Sequence, residues 1–187
     1  ADTLPLNLRL RTGHRVLWRL DTFEASGPDA LYAGIRAIPW EGILHTVGPH
    51  AYLSVTSTAD TPAIRDSRFV NVKAKDAIVD RLSDRCWVRP DSGPERDRAV
   101  VHVFWKGKRV AVFLDTSGEP LSRRGYRKIP LAAPMQETLA AAVVRATGWN
   151  GRSGFINPMC GSGTLAIEAA LLAQGKAPGL LRGNFGF

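Results

Sequence analysis

A mixed α+β domain followed by the opening unit of an α/β domain is the fold class that this sequence predicts, on three patterns. Alternating apolar–polar runs and amphipathic helical stretches are interleaved over residues 1–115, which is how an α+β layer pair reads along a chain. A polar, basic connector follows from Asp115 to Lys128. Beyond it, residues 154–173 run as a short apolar stretch, a turn of small residues and an Ala/Leu/Ile helix, the order in which an α/β domain begins. The expected domains are therefore 1–115 and 116–187.

In the first domain, Leu6, Leu8 and Leu10 alternate with Asn7, Arg9 and Arg11, so Leu4 to Arg11 reads as a half-buried strand. Thr12-Gly13-His14 is a turn, and Arg15 to Phe23 is a second strand through Val16, Trp18 and Leu20. Ser26-Gly-Pro-Asp29 starts a helix, with Ser26 as the cap and Pro28 in the first turn. Leu31, Tyr32, Ile35 and Ile38 form its inward stripe, and Pro39 ends it. Segments 40–45 and 52–56 flank the loop Val47-Gly-Pro-His50; His45 and His50 lack metal-ligand spacing and a cysteine pair, so no metal is expected.

Arg68 to Lys73 alternates again, as a strand, and Asp76 to Leu82 is a helix with Ala77, Ile78, Val79 and Leu82 inward. After the polar loop Arg89 to Glu95 comes a hairpin, Ala99–Trp105 and Arg109–Asp115, whose turn Lys106-Gly107-Lys108 has Gly107 for a positive φ.

Between Lys108 and Lys128 six basic residues stand against Asp115 and Glu119. Arg123, Arg124, Arg127 and Lys128 around Tyr126 have the chemistry to grip RNA phosphates while the ring stacks on a base. The alternative is a linker kept soluble by charge and fixed by salt bridges. Pro130 to Thr147 then reads as a helix with Leu139, Val143 and Val144 inward, Gln136, Glu137 and Thr138 near its start, and Gly148 closing it.

Phe155-Ile156 is the expected strand of the last unit; the chain bends at Asn157-Pro158, and the helix runs to about Gln174 before Gly175 stops it. The loop is not a phosphate-binding P-loop, since no Lys follows Gly163, and it is not G-x-G-x-x-G, since Thr164, Leu165 and Ala166 follow. Its glycines let a ligand approach bare backbone, and the helix start offers free N–H groups.

The run Asn157-Pro158-Met159-Cys160-Gly161-Ser162-Gly163-Thr164 resembles the D-P-M-C-G-S-G-T loop of RNA guanine-N2 methyltransferases that carry a THUMP domain, with Asn157 in place of the usual Asp. Residues 1–115 are more loosely similar to the THUMP RNA-binding module, at Asp66-Ser-Arg-Phe-Val70, Lys75-Asp-Ala-Ile-Val-Asp80 and the Val101-His-Val-Phe arm. The connector, from Asp115 through Leu121-Ser-Arg-Arg-Gly-Tyr-Arg127, continues the likeness. The resemblance implies S-adenosylmethionine held by residues 157–164 of a Rossmann-like domain, and formation of N2-methylguanosine in ribosomal or transfer RNA. The family's Asn/Asp-Pro-Pro-Tyr motif is absent, as is any Pro-Pro pair. The chain is therefore expected to be an N-terminal fragment, inactive by itself, with catalytic residues and a ribose-binding acid at or beyond Phe187.

Bulk composition agrees with that reading. A net charge of +8 and a pI near 10.1 favour a polyanionic partner, of which nucleic acid is the commonest; the resemblance implies structured RNA. Only Cys86 and Cys160 are present, too few for a disulfide framework, and no long apolar run or signal peptide occurs. A cytoplasmic location and no membrane partner are expected. Two other classes of function stay open: an RNA-binding module whose α/β portion is only a scaffold, and a methyltransferase acting on DNA or a small molecule.

Overall fold

The computed structural model describes residues 2–44, 52–129 and 133–186. They form two compact units, one of residues 17–118 with 186, the other of residues 2–16 with 119–185.

The first unit is a two-layer structure. Its five strands are β1 (Leu17–Glu24), β2 (Tyr52–Asp60), β3 (Asp91–Ser92), β4 (Ala99–Lys106) and β5 (Arg109–Asp115), ordered β1-β5-β4-β2-β3. β5 pairs antiparallel with β1 and β4, whereas β2 runs parallel to β4 and β3. The helices α1 (Thr3–Arg9), α2 (Pro28–Ala37) and α3 (Ser67–Cys86) precede the hairpin in sequence, and α2 and α3 pack on one sheet face. Leu31, Ile35, Val70, Ala77, Ile78 and Leu82 of those helices meet Leu53, Val101, Val103, Trp105, Val110 and Val112 of the strands in one core. Trp40 follows Pro39 into a 3₁₀ turn that carries its ring into this core, where Nε1 donates to Ile35 O at 2.7 Å. The hairpin β4–β5 forms in the expected register, with Gly107 at φ 58°.

Three elements differ from the sequence reading. Residues 3–9 are the helix α1, not a strand: no described segment pairs with them, and Leu4 and Leu6 stay exposed. A strand exists only through its ladder, so alternation over seven residues without a partner does not suffice. Residues 68–73 belong to α3, because the Asp66 side chain accepts from Arg68 N at 2.9 Å and caps the helix. Val70, Ala74, Ala77 and Ile78 then carry a helical stripe through both segments. At α2, Gly27 is the N-cap instead of Ser26, with Pro28 opening the helix as expected.

The second unit contains α1, α4 (Glu137–Ala146) and α5 (Thr164–Ala173), with a 3₁₀ turn at Pro178–Leu181 that packs on α1. α4 is shorter than the predicted 130–147 helix, of which 130–132 lie outside the described residues. It packs on α5 through Thr138, Ala140, Ala141 and Val144, while Leu139 and Val143, expected inward, are 53% and 40% exposed. Small alanines permit close helix contact, and that contact selects a different face from the bulkier one. Phe155-Ile156 forms no strand, since no described segment offers a ladder, and Ile156 is 88% exposed. The loop Val47-Gly-Pro-His50 and His45 lie outside the described residues. Among the described residues, no helix is long and apolar enough to cross a membrane, and no cluster of three His, Cys, Asp or Glu side chains could hold a metal.

Candidate cofactor site

Residues 157–164 form a bared loop at the start of α5. Gly163 N donates to Cys160 O at 2.8 Å, closing a tight turn, and Gly161 and Gly163 have φ of 51° and 75°. A side chain is disfavoured in that backbone conformation, which is why two of the three positions between Cys160 and Thr164 are glycine. A Cβ at either glycine would meet no heavy atom within 4 Å. The loop thus presents backbone to open space. Gly163 is the N-cap of α5 and no side chain caps the helix, so the first N–H groups of α5 keep their capacity to bind an anion.

Flanking side chains extend this surface. Met159 and Cys160 are exposed, and Ser162 Oγ lies 2.9 Å from Thr164 Oγ1. Asn157 Nδ2 is buried and has no hydrogen-bond partner. A desolvated donor without an acceptor is costly unless a ligand supplies one. These features fit a ligand with a flexible polar end, such as the amino-acid part of S-adenosylmethionine: Asn157 and the N–H groups of Thr164 and Leu165 would hold it, and the glycines leave room.

A buried polar network supports the loop from behind. Glu168, one turn after Thr164, is 1% exposed, and its Oε1 accepts from Tyr126 OH at 3.1 Å and from Arg124 Nε at 3.4 Å. Burial raises the Tyr126 hydroxyl well above its ordinary pKa, and neighbouring Glu168 adds to the shift. Arg124 also donates to Leu10 O at 3.3 Å, Leu121 O at 2.9 Å and Arg11 O. Arg127 ties the loop to α4: its Nη2 reaches Thr164 Oγ1 at 3.3 Å, Met135 O at 3.0 Å and Glu137 Oε1 at 3.0 Å. At the far end of α5, Gly175 N and Lys176 N return to Leu172 O and Leu171 O. Arg11 Nη2 also donates to Leu171 O and Lys176 O at 3.2 and 2.8 Å, a cation at the negative end of the helix.

Of the eight loop residues singled out in the sequence, 158–161 are exposed, Asn157, Ser162 and Gly163 are half-buried, and Thr164 is buried. The five basic-cluster residues are not alike. Arg124 lies in the interior, and Tyr126 and Arg127 are committed to Glu168, Thr164 and Glu137. Arg123 and Lys128 face solvent, with Arg123 Nη1 2.6 Å from Glu119. Four of the five, Arg123, Arg124, Tyr126 and Arg127, are thus engaged in ion pairs or hydrogen bonds, as in the reading of a connector fixed by salt bridges. Of the residues at the α4 start, Glu137 holds Arg127, Gln136 Nε2 donates to Ser122 Oγ at 3.2 Å, and Thr138 is buried. Sequence reasoning missed Glu168 and Arg11. The signal for Glu168 was present: it is the single charged residue in the apolar run Thr164–Ala173.

Comparisons with known proteins find relatives named as methyltransferases. Over 181 residues the chain is 43% identical to a protein named ribosomal RNA large subunit methyltransferase K/L from Magnetococcus marinus, and 41% identical to a protein of that name from Syntrophotalea carbinolica. Each alignment covers 95% of this chain and 25% of the relative, so the chain spans about a quarter of the curated relatives it matches. In structure it is similar to a predicted N6-adenine-specific DNA methylase from Listeria monocytogenes, with TM-score 0.82 and 35% identity over 96% of this chain and 46% of that one. It is also similar to SMU.472 complexed with SAH, with TM-score 0.80 and 30% identity over 95% of this chain and 46% of that one. The segment from Arg124 to the end of the chain, residues 124–187, which holds the loop and most of its supporting network, matches the family model described as UPF0020, RMKL-like methyltransferase domain.

Proposed function

We propose that the chain is the N-terminal part of an S-adenosylmethionine-dependent RNA methyltransferase, and that residues 157–164 bind the methyl donor. The single observation that carries this is a loop with two positive-φ glycines open to space, a buried unpartnered Asn157 amide beside it, and an uncapped helix start behind it. The donor, when bound, supplies an electrophilic methyl on sulfur. The chain's own residues bind and orient: Asn157 Nδ2 donates to the donor's amino-acid end, and the first N–H groups of α5 face its carboxylate. Arg127 and the Glu168 network keep Thr164 and the helix start in position.

In this reading residues 1–115 are a THUMP-like RNA-binding region, and the intact enzyme makes N2-methylguanosine. The names of the K/L relatives favour ribosomal RNA over transfer RNA as the substrate. The positive charge of the chain supports a nucleic-acid partner. The name of the Listeria structure supports a second reading, methylation of DNA adenine.

The test is calorimetric titration of S-adenosylmethionine into the full-length protein and its Gly161→Val variant. Valine is expected to abolish donor binding and leave RNA affinity unchanged, since a β-branched residue resists this φ and its methyls enter the donor's space. Equal donor affinity in both proteins removes the loop assignment. Duplex DNA competing as well as folded RNA moves the substrate to the second reading.

A further inference from the structure

The helices of the first unit account for one face of its sheet. Val101, Val103, Trp105, Val110 and Val112 turn toward α2 and α3, and the residues between them point the other way. Pairing aligns those outward residues into rows across the strands. Arg19, Phe113, His102 and Thr56 form one row; Thr22, Ala111, Phe104 and Thr58 form the next; Glu24, Arg109, Lys106 and Asp60 form the third. On the same face Ser54, Val100 and Asp115 are buried, and Leu17, opposite Asp115, is 39% exposed, so the open area is these three rows with Leu17 at one corner.

A solvated sheet face ordinarily carries threonines, serines and charges. Two aromatic rings break that pattern here. Phe104 is 40% exposed, and Phe113 is half-buried on the adjacent strand, two residues beyond Ala111, the cross-strand partner of Phe104. Thr22, Ala111 and Thr58, all short, complete the row of Phe104 and leave its ring uncovered. Between Phe113 and Thr56 lies His102, whose Nδ1 is 2.9 Å from Thr56 Oγ1. Cations border the rings: Arg19 is the cross-strand neighbour of Phe113, and the hairpin tip adds exposed Lys106, Lys108 and Arg109, opposite Glu24 and Asp60.

Two rings and Leu17, set among threonines and charges, still make a small apolar area for a protein interface. A chain of flat π-faces joined by anionic links fits them, because bases stack on aromatic side chains while nearby cations meet phosphates. We propose that this sheet face binds single-stranded RNA, with Phe104 and Phe113 each stacking on a base and Arg19 and the hairpin tip contacting phosphates. The proposal deepens the RNA reading above by assigning a surface and a form of RNA, and it is independent of the methyl-donor loop.

The test uses the 187-residue chain and a fluorescein-labelled twelve-nucleotide uridine strand, followed by anisotropy at one fixed salt concentration. Phe104→Ala and Phe113→Ala are each expected to weaken binding about fivefold or more, with melting curves confirming the fold. Phe104→Trp keeps the wild-type affinity and its emission is quenched by the strand. Unchanged affinity in the folded Phe104→Ala/Phe113→Ala variant overturns the proposal, as do equal affinity for an RNA duplex, loss of binding in Phe104→Trp, or no binding by the wild type. An effect of the double variant on self-association alone, by sedimentation, also overturns it. Failure of the donor-loop reading is seen separately, as absent calorimetric donor binding with strand binding intact.

Discussion

Glu168 and Arg124 meet in the interior of their unit, Nε to Oε1 at 3.4 Å, with side chains 0% and 1% exposed. A pair buried this completely offsets two desolvation costs, and removing one member leaves the other charge uncompensated. Glu168→Ala is therefore expected to destabilise the protein by about 3–5 kcal/mol. The double variant Arg124→Met/Glu168→Leu restores only part of that loss: it removes both charges together, but the Tyr126 hydroxyl and the carbonyls of Leu10, Arg11 and Leu121 lose this partner. Urea denaturation of the two variants checks this; equal loss in both would show that the pair is not what stabilises the packing behind the loop.

The Arg81 guanidinium holds the Glu41 carboxyl down at about 2, from an ordinary 4.5, through hydrogen bonds at 2.7 and 2.8 Å. The folded-state pKa is depressed, so the stabilisation is complete above the unfolded value and is lost as pH falls from about 4.5 through about 2. Melting temperatures of the wild type and Glu41→Gln should converge over that window and differ above it. A constant difference down to the lowest pH would contradict the assignment.

Trp87 ends α3 with φ 57° and is 92% exposed. Its backbone occupies the left-handed region that glycine tolerates, and its ring buries little. Trp87→Gly is expected to raise stability by about 1 kcal/mol, measured by denaturant midpoint. A clear loss would mean that the indole holds the α3 end in a way its exposure does not suggest.

The connector is not a uniform RNA-binding strip. Arg123→Glu and Lys128→Glu leave the fold intact, and if those exposed side chains contact phosphates, each lowers the salt dependence of RNA binding by about one unit of slope. Arg124→Glu unfolds the unit instead, because it sets two carboxylates together in the interior. A folded, RNA-binding Arg124→Glu protein would contradict the buried role.

The residues announce some of this architecture and hide the rest. The hairpin around Gly107, the buried stripe of α3 and the loop before α5 were legible because each rests on short-range spacing: a period of two, a period of 3.6, and glycines where φ is positive. Residues 4–11 and 68–73 alternate, and alternation over six or eight residues does not say whether a partner strand exists. In the second case the decisive feature, the Asp66 cap, precedes the alternating run. Arg124 reads as a surface charge in an Arg-rich connector, since its partner Glu168 is 44 residues away. Burial of that kind is a property of the tertiary fold, visible in sequence only as one carboxylate inside an apolar helix.

Hydrogen–deuterium exchange of the full-length protein, with and without S-adenosylhomocysteine, tests the proposed donor site most directly. Binding at the loop predicts slowed exchange in peptides spanning 157–168, where the amides of Thr164 and Leu165 gain an acceptor. Tight binding with no protection in those peptides, and protection elsewhere, would contradict it.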